Sequence, residues 1–156
     1  MKTQKILLDT EEDQEIALGL VRLAKDIPDY ELFYHLNTIN SFKFSRIKDF
    51  VFQGNYYDYY FPRFEAFHLD SNIYIHFIAN KSCCSILKKN PNELFSVEHE
   101  TKFLLEYFQD VDYLIKTSEP FDDFSLILLP ENLLFQIQNF SLQPKEELYH
   151  LILYYE

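Results

Sequence analysis

Asp110 and Asp112 stand two positions apart, so on an extended strand both carboxylates project to the same side. With Glu106 or Asp122 nearby they would offer the oxygen donors that a hard cation such as Mg²⁺ prefers. A divalent-metal-dependent enzyme is one reading of this acidic cluster, and an ordinary acidic loop is the other. His68 and His76 flank a predicted hairpin, with Glu65 on the same strand as His68. That spacing suits zinc in one register, whereas a slip of one residue sends the two imidazoles to opposite faces. His99 and Glu100 begin like the metalloprotease helix H-E-x-x-H, but Phe103 occupies the place of the second histidine. Cys83 and Cys84 are adjacent, which suits neither disulfide geometry nor a spaced zinc pair, so they read as reduced, buried thiols. These patterns assign no catalytic residue, no cofactor and no metal site.

Glycine usage narrows the chemistry further. Phosphate-cradling loops, dinucleotide turns and nucleophile elbows need glycine where backbone approaches a ligand or adopts φ > 0. Gly19 and Gly54 are the only two in 156 residues, and no serine lies between glycines. Aromatic residues abound instead, with 16 Phe and 12 Tyr but no Trp. The densest run is Tyr56, Tyr57, Asp58, Tyr59, Tyr60 and Phe61. Neighbours on a strand point to opposite sides, so these rings cannot all enter one core. Tyrosine offers contact area, a polar tip and little rotamer entropy to lose, which favours it at interfaces. We therefore expect Tyr56, Tyr57, Tyr59, Tyr60 and Phe61 to form an aromatic surface loop that contacts a protein partner. Packing over a neighbouring loop or helix is the equal alternative. Stacking on single-stranded RNA is a third reading, with Lys43, Arg46, Lys48 and Arg63 as the basic neighbours it requires.

Net charge is −11, and between Glu98 and Glu131 nine acids face only Lys102 and Lys116. Such a field repels a phosphate backbone, making nucleic acid an unfavoured ligand and a basic protein partner a better one. Negative charge also simply keeps a hydrophobic domain soluble. Hydrophobic residues make up 47% and charged residues 25%, the balance of a globular rather than a disordered chain. The length suits one domain, residues 1–156, able to bury roughly two thirds of its unfolded surface. No apolar run reaches the ~18 residues that span a bilayer, and the first residues lack a signal-peptide core. The expectation is a cytoplasmic protein with no membrane contact.

Several elements must position these side chains. Lys5 to Leu8 reads as a short strand, followed by an acidic turn at Asp9 to Asp13. Ile16 to Leu23 suits a strand buried on both faces. Pro28 and Asp29 open a helix running to about Asn40, with Leu32, Phe33, Leu36 and Ile39 on its apolar face and Tyr30, Tyr34 and Asn37 on a second stripe. Phe42–Phe52, Tyr59–Leu69 and Ile73–Ser82 form an antiparallel meander, its last strand central. Pro62 must lie where no ladder donor is needed. Lys88 to Asn92 is a loop, Thr101–Leu105 and Val111–Thr117 are further strands, and Pro130 opens a second helix ending near Phe140. The segment from Leu148 to Tyr155 suits a terminal strand, with helix as the alternative.

The stretch Leu105 to Tyr113 resembles the signature of the IPExxxVDY family, small bacterial proteins without an assigned activity. Val111, Asp112 and Tyr113 match, followed by the apolar and basic Leu114, Ile115 and Lys116, while Leu105, Glu106 and Tyr107 replace Ile-Pro-Glu. Leu18-Gly19-Leu20 and the segment Asp29 to Asn37 are similar to the family's amino-terminal strand and helix. The resemblance implies a family name without a mechanism. Physically, Val111 and Tyr113 would pack inward on a strand while Asp112 points outward or caps the preceding turn. The fold class is α+β, a single domain with a mostly antiparallel sheet, covered on one face by the Pro28 helix and a carboxy-terminal helix. Its function reads as non-catalytic protein interaction, and an exposed edge strand would allow a homodimer.

Overall fold

The computed structural model describes residues 14–87, 101–118 and 124–155. The predicted strand at Lys5 to Leu8, the turn at Asp9 to Asp13, the loop at Lys88 to Asn92, His99 and Asp122 lie outside them. The fold is α+β, and the described residues form one antiparallel seven-stranded sheet and two helices. Strands β1 (Ile16–Val21), β2 (Ser45–Gln53), β3 (Tyr57–His68), β4 (Ile73–Ala79), β5 (Cys84–Leu87), β6 (Tyr113–Thr117) and β7 (Gln138–Leu142) accompany helices α1 (Asp29–Ile39) and α2 (Glu147–Tyr154). The spatial order is β2-β3-β4-β6-β1-β7, and β5 pairs with the first half of β3.

The meander β2-β3-β4 forms as its alternation requires. Pro62 has no N–H to donate, and the β2 register shifts opposite it, between Ile47 and Phe50. On its other side β4 ends at the Arg63↔Ile78 pair and β5 starts at Tyr60↔Cys84, so neither neighbour asks proline for a ladder bond. β4 is interior to the sheet, and β1 is buried on both faces between β6 and β7.

Each face of the sheet carries its own core. On one face α1 presses Leu32, Phe33 and Leu36 onto Phe64, Phe77 and Tyr113, with the Phe33 and Phe64 rings stacked at 3.9 Å. Ile39, expected on that apolar face, is instead 40% exposed at the helix end. On the other face α2 presses Leu148, Tyr149 and Ile152 onto Phe50, Phe61, Ile78 and Leu114. Fully burying one such side chain contributes ~1.5–3 kcal/mol. The two helices therefore cover opposite faces, which corrects the expectation that both share one.

Three further expectations change. The segment after Pro130 is not a helix, because Asn132 adopts φ 66° and the chain then runs straight into β7. That strand supplies the second neighbour that β1 needs, from Ile16↔Leu142 to Leu20↔Gln138. The terminal segment is a helix rather than a strand, since Leu148, Ile152 and Tyr155 recur at helical spacing toward the core. Residues 101–105 do not form a strand. Their backbone is held instead by Ser82 and by Asn80, which is fully buried. Asn80 Nδ2 donates to the carbonyls of Phe108 (2.9 Å) and Val111 (3.0 Å), and its Oδ1 accepts from Leu105 N–H at 2.8 Å. Its own backbone N–H donates to the carbonyl of Asp112.

Candidate functional site

The aromatic run is not a surface loop. Tyr57 to Phe61 open β3, where Tyr57, Tyr59 and Phe61 point into the core under α2 with 7%, 9% and 0% exposure. Alternation explains it, because residues 57, 59 and 61 share the face that Phe50, Leu114 and Ile152 also occupy. Tyr56 remains 58% exposed in the turn before β3, and Tyr60 is half-buried. The predicted contact residues thus divide into three core rings and two accessible ones.

Tyr60 leads to a groove of about 980 Å³ along the outer edge of β2. Val51, Phe52, Tyr60, Leu151, Tyr154 and Tyr155 give it apolar and aromatic walls. Glu147, Lys48 and His150 add charged and polar groups, as do Asp58 and Asp49, the latter held by Arg46 at 2.7 Å. β2 ends the sheet, and among the described residues no strand pairs with its outward N–H groups. The Tyr155 hydroxyl accepts from Val51 N–H at 2.9 Å and takes the place of one such ladder partner. Tyr154 is 80% exposed at the rim. The sequence signal for this site was present in Tyr154 and Tyr155, but it is meaningful only once Leu148 to Tyr155 is a helix.

The acidic cluster is differently organised from a metal site. Asp110 Oδ2 accepts from Arg22 Nε at 2.6 Å, and this bond holds its carboxyl below the usual range. Asp112 lies just before β6, and its Oδ2 accepts from the Leu23 backbone N–H at 2.7 Å. Burial, then the neighbouring Asp26 and Asp110, push its carboxyl up despite that bond. Glu106 pairs with Lys102 at 3.2 Å. Each carboxylate thus already has a partner, and among the described residues no group of three His, Cys, Asp or Glu gathers. The Val111-Asp112-Tyr113 segment works as a joint. Asp112 N–H donates to Val21, its carbonyl accepts from Asn80, and its side chain closes on Leu23.

The remaining candidates separate as follows. His76 Nε2 meets Glu65 Oε2 at 2.7 Å, while His68 Nδ1 meets Ser71 Oγ at 2.6 Å. Register settles the geometry. His76 pairs with Glu65 and follows the parity of Ile78 under α2, whereas His68 contacts Phe42 on the α1 face. The imidazoles therefore sit on opposite sides of the sheet. Cys83 and Cys84 are exposed, not buried as expected, because the β4-to-β5 crossing lies at the surface. Desolvation of its sulfur and the Cys84 thiol 3.9 Å away raise the Cys83 pKa to about 11, leaving it a poor nucleophile near neutrality. Of the basic residues, Lys43 binds the Asn37 and Asn40 carbonyls, Arg46 pairs with Asp49, Arg63 is buried, and Lys48 alone lines the groove. No helix among the described residues is long and apolar enough to cross a membrane.

Comparison of the chain with family models, with curated proteins and with solved structures finds no match in any of the three.

Proposed function

We propose that this chain is a cytoplasmic, non-catalytic protein-interaction module, and that the groove between the β2 edge and α2 takes an extended, basic segment of a partner protein. The observation that carries this reading is an aromatic trough of about 980 Å³ beside the strand that ends the described sheet, with the exposed Glu147 carboxylate in its lining. Extended peptides add to sheet edges through backbone hydrogen bonds and gain specificity from neighbouring pockets. Tyr60, Tyr154 and Phe52 supply rigid contact area, and the exposed Glu147 supplies charge complementarity to lysine or arginine. Membership of the IPExxxVDY family belongs to the same proposal and rests on Val111, Asp112 and Tyr113, whose contacts here are structural. The net charge of −11 favours a basic partner over nucleic acid.

The test uses two exposed groove residues whose replacement leaves the core untouched, Glu147→Lys and Tyr154→Ser. Peptides selected from a random display library against the intact chain are expected to be enriched in Lys or Arg beside apolar residues. Their binding should weaken about tenfold or more in the double variant and fall with added salt. Selected peptides that are acidic, or that bind the double variant equally well, would refute the groove as the site.

A further inference from the structure

On the opposite side of Tyr155 from the groove lies a second cavity, of about 370 Å³, between the sheet and the last turn of α2. Phe50, Ile78 and Ile152 give it an apolar wall. Its polar side follows from strand register. Glu65 pairs with His76 across β3 and β4, and His76 with Lys116 across β4 and β6, so three ionisable side chains stand in one row. Arg63 precedes Glu65 by two residues on β3 and shares its face.

Arg63 is the unusual member. It is 9% exposed, yet among the described residues no carboxylate forms an ion pair with it. Its Nε–H donates to the Lys48 carbonyl at 2.8 Å, and the Tyr155 ring lies 4.9 Å from the guanidinium. Glu65 is already engaged by His76 at 2.7 Å. Desolvation by burial lowers the Arg63 pKa, against the opposing influence of Tyr155 and of the Glu65 and Asp49 carboxylates. Besides Arg63 the lining carries Glu65, already engaged by His76, and Lys116, whose Nζ donates to the Thr117 carbonyl at 2.7 Å. Burying a cation without a directly paired carboxylate is costly, and a fold that keeps one beside a cavity has a use for an anion there.

We propose that this cavity binds a small-molecule oxyanion, a carboxylate or a phosphate monoester, with its anionic group on the Arg63 guanidinium. The planar fork of arginine matches either group with two parallel hydrogen bonds. Lys116, whose Nζ donates to the Thr117 carbonyl, also lines the cavity, and the Glu65–His76 pair offers donors and acceptors to a polar substituent. The volume stands near the lower end of the ~300–1,000 Å³ usual for ligand sites, which suits a metabolite-sized molecule and excludes a polymer. This inference is independent of the groove, since neither Glu147 nor Tyr154 lines the cavity.

The experiment is an NMR titration of the ¹⁵N-labelled chain with sodium acetate and, separately, inorganic phosphate, against sodium chloride at equal ionic strength. The expected result is saturable movement of the Arg63 Nε–H and of the Glu65, His76 and Thr117 amides by at least one probe. The stronger arm identifies the class, carboxylate or phosphate. Arg63→Gln should weaken binding about tenfold or more and Lys116→Gln severalfold, with Arg63→Lys retaining part of the affinity. If Arg63→Gln fails to fold, Arg63→Lys decides alone, and unchanged affinity in that variant overturns the proposal. Absence of saturable movement up to about 50 mM of either probe overturns it as well.

Discussion

Asn80→Ala is the sharpest test of how this chain holds its irregular half to its sheet. The residue is 0% exposed, and its amide makes three hydrogen bonds, at 2.9 Å to Phe108 O, 3.0 Å to Val111 O and 2.8 Å from Leu105 N–H. Truncation does not orphan all three partners. Phe108 O keeps the Val111 N–H at 3.1 Å, so the Leu105 N–H and the Val111 carbonyl bear the loss. A buried polar group left unsatisfied costs ~1–3 kcal/mol, which places the variant ~2–6 kcal/mol below the wild type. Against the 5–15 kcal/mol typical of a native domain this is severe, though compatible with a folded protein. Urea unfolding at neutral pH measures it, with the slope m unchanged if the denatured state is unaffected. Asn80→Asp separates hydrogen bonding from packing, because a carboxylate keeps the acceptor but loses both donors and faces two carbonyl oxygens. It should be at least as unstable as the alanine variant at neutral pH and recover in part as it protonates. A loss below ~1 kcal/mol in Asn80→Ala would refute the accounting, since it would mean that solvent or another donor reaches these groups at no cost.

Asp112→Asn keeps an acceptor for Leu23 N–H while removing the charge that burial penalises, so its melting temperature should exceed the wild type's at pH 7. The raised native pKa means that the penalty vanishes as pH falls and Asp112 protonates, and the two melting curves should converge near pH 3, about a unit below the ordinary carboxylate value. Tyr57→Ser and Tyr59→Ser each empty a ring from the core under α2, and urea unfolding should show losses of ~3 kcal/mol apiece; a stable double variant would return these rings to the surface. Gly19→Ala places a Cβ 2.9 Å from Ile137 Cγ2 and 3.1 Å from the Phe124 ring, an overpacking expected to cost ~1–3 kcal/mol in the same assay.

Much of the sheet was legible because its signals are local. Alternation in Ile73 to Ala79, the two-sided burial of Ile16 to Val21 and the need of Pro62 for a bulge all follow from period-two geometry and one missing N–H. The failures occur where partners distant in sequence decide the state. Gln138 to Leu142 has no strong strand signature of its own, and becomes a strand because β1 presents an unpaired edge across more than a hundred residues. Leu148 to Tyr155 has enough apolar residues for either state, and its choice of helix follows from the open face above Phe50 and Phe61 that it covers.

The same dependence governs the candidate sites. The Tyr56 to Phe61 run is a conspicuous feature of the sequence, but most of its rings fill the core; what reaches the groove is Tyr60, joined there by Tyr154 and Tyr155 from the far end of the chain. Tyr155 also closes the second cavity, its ring tilted against that of Phe50 at 4.6 Å and lying over Arg63 while its hydroxyl holds Val51. One side chain therefore forms a wall between the groove and the cavity that Arg63 lines. Tyr155→Phe tests that arrangement with little loss of bulk. It releases Val51 N–H but keeps the ring on Arg63, so peptide binding in the groove should change while the acetate and phosphate titrations stay as in the wild type. Equal changes in both would mean that the two sites share one conformational state of the α2 carboxy terminus, and that the wall is a coupling element rather than a partition.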